Sequence, residues 1–87
     1  MTEFVTIFKV TNKNAVNIRL ILEPWAEEFT IPVNSTLSIE IFHDTHGLIQ
    51  TETNPSFFIV WLWHGCRAKV LLDGIDQTPP SLSIASF

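Results

Sequence analysis

Apolar residues in this chain recur at every second position, not at every third or fourth. Leu37, Ile39 and Ile41 alternate with Ser38, Glu40 and Phe42. Val16, Ile18, Leu20 and Leu22 alternate with Asn17, Arg19, Ile21 and Glu23, and Ala68, Val70 and Leu72 with Arg67, Lys69 and Leu71. A period of two sends successive side chains to opposite faces of an extended chain, so each segment reads as a strand with one buried face. Phe4 to Val10 is rich in β-branched and aromatic residues and reads as another strand. Glu27 to Ile31 reads as a short strand, and Ser81 to Phe87, with weak alternation at Leu82 and Ile84, as a last edge strand.

Turn residues separate these segments at short, regular intervals. They are Asn12-Lys13-Asn14, Pro24, Pro32-Val33-Asn34, Asp44-Thr45-His46-Gly47, Asn54-Pro55-Ser56, His64-Gly65-Cys66 and Asp73-Gly74. Thr78-Pro79-Pro80 reads as a stiff extended spacer. The pattern predicts an all-β fold: one domain over residues 1–87, an antiparallel β-sandwich of immunoglobulin-like or jelly-roll-like type with about seven or eight strands.

One segment breaks the alternation. Phe57, Ile59, Trp61 and Trp63 point one way, and Phe58, Val60 and Leu62 the other. A strand apolar on both faces is buried on both, yet a two-layer sandwich buries only one. Something must cover the second face. Ile21, Phe42 and Leu71 are apolar residues on the otherwise polar faces of other strands. If their strands flank residues 57–63, they widen one face into a patch. A homodimer built on Ile21, Phe42, Phe57, Ile59, Trp61, Trp63 and Leu71 is the expectation, since contiguous apolar patches mark interfaces. The alternative cover is the C-terminal segment 81–87.

Composition supports that weighting. Of the 87 residues 46% are hydrophobic and only 16% charged, so the polar coat is thin for a small domain. Hydrophobicity this high with a net charge of -4 excludes disorder. Five scattered cations against nine acids argue against a nucleic-acid partner. The longest apolar run, residues 57–63, is far short of the roughly 18 residues of a membrane span. Glu3 stands where a secretion signal would carry cations, so a cytoplasmic location is expected. The sequon at Asn34-Ser35-Thr36 then reads as a polar turn, and the single Cys66 forbids an internal disulfide.

Candidate chemistry is sparse. Three tryptophans, Trp25, Trp61 and Trp63, could form a stacking platform for a carbohydrate or other small ligand. His43, His46 and His64 lie at strand ends and could converge on a metal as in cupin-like barrels, although the cupin spacing is absent. Cys66 beside His64 could serve as a nucleophile, and Glu23, Glu27 and Glu28 could act as paired carboxylates; a buried thiol and a solvated acidic rim are the simpler readings. With three glycines the chain holds no phosphate loop, nucleotide fingerprint or nucleophile elbow, and no cofactor is expected. The expectation is a non-enzymatic, self-associating β-sandwich that serves as a structural or protein-interaction module, with another protein as a further partner and a small-ligand or carbohydrate binder as the alternative.

The residues Val10-Thr11-Asn12, followed by Leu20 to Pro32 with Glu23-Pro24-Trp25-Ala26-Glu27-Glu28-Phe29 at their centre, carry a resemblance. The stretch resembles small bacterial β-domain proteins of unknown function, in which an Asn turn precedes Glu-Pro-Trp-Gly, acids and an aromatic. Ala26 stands where that pattern has Gly. The resemblance covers about a quarter of the chain and implies a compact bacterial or phage β-domain, with no activity attached.

Overall fold

A computed structural model describes residues 3–86. Eight strands form: β1 (Phe4–Thr11), β2 (Ile18–Glu23), β3 (Glu27–Ile31), β4 (Thr36–His43), β5 (Gln50–Thr53), β6 (Phe58–Trp61), β7 (Arg67–Leu72) and β8 (Ile75–Asp76). They make two four-stranded sheets packed as a sandwich, in the orders β1-β4-β7-β8 and β3-β2-β6-β5. Every pairing is antiparallel except β2–β6, which is parallel, so the expected all-β sandwich forms and departs from the antiparallel arrangement at that one pair. The parallel pair arises because β6 joins β2's sheet through the β5–β6 hairpin and adds on the side of β2 away from β3.

The alternating residues meet between the sheets. Leu37, Ile39 and Ile41 of β4 and Ala68 and Val70 of β7 face Leu20 and Leu22 of β2, Phe29 and Ile31 of β3, and Val60 and Leu62. All are buried, and a fully buried aliphatic side chain contributes roughly 1.5–3 kcal/mol.

Local chemistry closes the hairpins. Asp73-Gly74 links β7 to β8 with φ of 49° and 84°, the left-handed pair that a two-residue turn needs. Residues 24–26 link β2 to β3, with Ala26 at φ 61°. The Asn54 carboxamide oxygen accepts the Ser56 and Phe57 amides in the β5–β6 turn.

Two expectations fail. Ser81–Phe87 is not a strand over its described part: Pro80–Ser83 is a 3-10 turn, Leu82 enters the core and Phe87 lies outside the described residues. A second Pro at residue 80 favours that turn over a ladder strand. The apolar run is also shorter as a strand, since β6 ends at Trp61. β5 was not marked by the sequence, because Gln50–Thr53 is exposed throughout and carries no apolar pattern. No helix is long and apolar enough to cross a membrane among the described residues.

Candidate interaction surface

The outer face of the second sheet gathers part of the expected patch. In register across the parallel pair, Ile21 lies beside Ile59 and Glu23 beside Trp61. Phe57 sits one step before β6, under the Arg19 guanidinium, which is 4.4 Å from its ring centroid. Ile21, Phe57, Ile59 and Trp61 therefore form one apolar strip along the two central strands. Glu28 opposite Ile21 and Glu52 opposite Ile59 rim it, and Arg19 pairs with Glu28 at 2.6 Å. The strip is partly shielded by these neighbours: Ile21, Phe57 and Ile59 are half-buried, and Trp61 is 37% exposed.

Three expected members are elsewhere. Phe42 and Leu71 lie on β4 and β7, in the other sheet. The strand order separates them, because β6 took β2 and β5 as neighbours. Trp63 lies past the end of β6 and turns aside. Its indole N–H donates to the Thr45 carbonyl at 2.9 Å, and its ring stands edge-on to His43 at 4.9 Å. Gly47 passes so close that a Cβ there would collide with the indole.

The described part of the C-terminal segment, residues 81–86, does not cover the strip. It closes the seam between the sheets, with Leu82 in the core. Ser86 accepts and donates to the backbone of Trp63, Gly65 and Cys66, and the Ile84 carbonyl takes the Trp25 indole N–H at 3.1 Å.

The first sheet exposes a different apolar surface. Among the described residues β1 is an end strand, bonded to β4 alone. On it Phe4, Val5 and Ile7 are 43%, 54% and 56% exposed. Val5 lies beside Phe42 on the outer face. Periodicity marked β1 as a strand, but its place at an edge depends on strand order.

The alternative sites do not assemble. Two of the three indole N–H groups are committed to separate carbonyls, Trp25 to Ile84 and Trp63 to Thr45, and among the described residues no two tryptophan rings pair. Both ring nitrogens of His43 are engaged, Nε2 with the Thr6 hydroxyl at 2.8 Å and Nδ1 with the Thr45 carbonyl at 3.1 Å. His46 approaches His43 to 6.3 Å between rings, while His64 is exposed and, among the described residues, pairs with neither ring. Among the described residues no three His, Cys, Asp or Glu side chains gather to hold a metal. Cys66 is fully buried, and burial pushes its thiol pKa up against a smaller pull from a hydrogen bond at Trp63. That protonated, enclosed thiol is a poor nucleophile. The acids diverge too: Glu28 pairs with Arg19, and Glu27 accepts the Ser81 hydroxyl at 2.8 Å.

A cleft of about 330 Å³ opens where the β1–β2 and β5–β6 connections meet, with Asn14, Asn17, Arg19, Asn54 and Phe57 in its walls. The sequence did not signal it, since its residues come from two distant turns. No protein-family model, curated protein or solved structure matches this chain.

Proposed function

We propose that this chain is a non-enzymatic β-sandwich module that works by protein association, in the first place with a second copy of itself. One observation carries the reading: ordered apolar surface that the described residues leave partly uncovered. It comprises the Ile21–Ile59–Trp61 strip on one sheet and the Phe4, Val5 and Ile7 side chains on the free edge of the other. Aligned strand positions offer a flat, preorganised contact, whereas single apolar residues on loops do not. A catalytic reading lacks support from the buried thiol, the engaged His43 and the scattered acids.

Sedimentation velocity across a concentration series tests the proposal. The expected result is a dimer at tens of micromolar, dissociating on dilution. A monomer throughout the series overturns it.

A further inference from the structure

We infer that two copies of this chain pair β1 against β1, antiparallel about a twofold axis at Thr6, joining their first sheets into one continuous eight-stranded sheet. The inference rests on the self-association reading and assigns its contact surface. Three observations lead to it.

The first is the state of the edges. An end strand presents every second amide and carbonyl unpaired, and proteins blunt such edges with short length, charge or cover. β8 has two residues and β5 four, with Glu52 on it. β3 carries Glu27 and Glu28, and Ser81 sits against Glu27. β1 has eight residues, and within it only Lys9 is charged. It is the one long, apolar edge among the described strands.

The second is exposure. Val5 and Ile7 on the outer face are more than half exposed, and Phe4 on the inner face, packed beside His43 and His46, is 43% exposed. A partner strand laid along the edge covers both faces at once, which a partner docked on one face does not.

The third is register. A twofold axis normal to the sheet at Thr6 sets Val5 against the partner's Ile7 on the outer face and Phe4 against the partner's Phe8 on the inner face. The same axis sets Glu3 against the partner's Lys9. Apolar residues meet apolar residues, and the single charge of the strand meets its opposite. Moving the axis to Ile7 would set Val5 against Lys9 and Glu3 against Thr11. Moving it to Val5 would set Glu3 against Ile7. Only the Thr6 axis satisfies both the apolar and the charged positions. In the monomer the Glu3 carboxylate accepts from the Arg67 guanidinium, and both side chains are about half exposed, so in the dimer the partner's Lys9 adds a second cation to that carboxylate. In β-strand addition the main-chain bonds supply affinity and the side chains fix the register.

Analytical ultracentrifugation of the full chain and four variants tests this. Ile7→Glu puts a carboxylate opposite Val5 and diagonal to Glu3, so the dimer dissociation constant should rise at least tenfold with the circular dichroism unchanged. Lys9→Glu should weaken the dimer by facing Glu3, and the double variant Glu3→Lys with Lys9→Glu should restore it within about twofold, as expected of a cross-strand charge pair. Trp61→Ala should leave the dimer intact. If Trp61→Ala gives a monomer while Ile7→Glu stays dimeric, the β1 contact is overturned and self-association through the strip survives. Failure of the double variant to restore the dimer overturns the Thr6 register. A wild-type monomer at every concentration overturns both this contact and the self-association reading.

Discussion

The buried Asn12 carboxamide spans two connections. Its Nδ2 donates to the Val16 and Ile31 carbonyls, both at 2.9 Å, and its Oδ1 accepts the Asn14 amide at 2.8 Å. Its backbone bonds Ser35 and Asn34, so one residue ties the β1–β2 connection to the β3–β4 connection. The sequence reads Asn12 as a turn residue, because Asn suits turns; that its amide is fully buried and saturated follows from the approach of a distant segment. Asn12→Ala leaves polar groups unpaired and is expected to cost roughly 2–4 kcal/mol in urea unfolding. Asn12→Asp keeps the shape but removes both donors and adds charge. It should cost more than Ala at neutral pH, and less as the pH falls and its carboxyl, raised by burial, takes a proton. An Asp variant as stable as wild type would refute this role. Trp63 teaches a related point. As a sequence position it extends the apolar run; as a side chain it belongs to Thr45, His43 and Gly47.

The β2–β3 hairpin shows a local rule at work in an element. Its three-residue loop ends on Ala26 at φ 61°, a left-handed position that costs an L-residue about 1–2 kcal/mol. Gly adopts the conformation freely and gives back part of the gain as unfolded-chain entropy. Ala26→Gly is therefore expected to stabilise by about 0.5–1 kcal/mol, read as a raised Tm. A lowered Tm would mean that the Ala26 methyl makes a contact worth more than the strain. β6 is legible in a different way. Its double-sided apolar pattern announced two covered faces, and one is the core through Val60 and Leu62. The other is only partly covered, by Arg19 over Phe57 and by the flanking acids. β5 could not be found from pattern, since a fully exposed strand has no buried face to impose one.

At the scale of the molecule, Cys66 reports on the whole fold. It is fully buried between the β6–β7 corner and the C-terminal segment, whose Ser86 hydroxyl accepts its amide at 3.1 Å. Thiol-reactive dye at neutral pH should label it only through opening, at a rate that falls with added stabilisation. Rapid labelling of folded protein would show that the C-terminal seam is open. Burial raises the folded thiol's pKa, so the unfolded chain gives up this proton first. Stability from this group is intact below the unfolded thiol's pKa and declines as the pH rises above it, which denaturation at alkaline pH can follow. The period-two pattern and the turn residues by themselves determined that this chain makes strands, where six of the eight lie, and much of the core, although Val16 falls outside β2 and is 68% exposed while Leu82 enters the core from a turn. Those properties are local, because pleat geometry and turn dihedrals act over a few residues. Strand order was not local. It placed β6 beside β2, sent Phe42 and Leu71 to the opposite sheet and left β1 at an edge. Only the tertiary structure decided these, because sheet order rests on which distant strands meet, and the same alternating strand can lie at the centre of a sheet or at its margin.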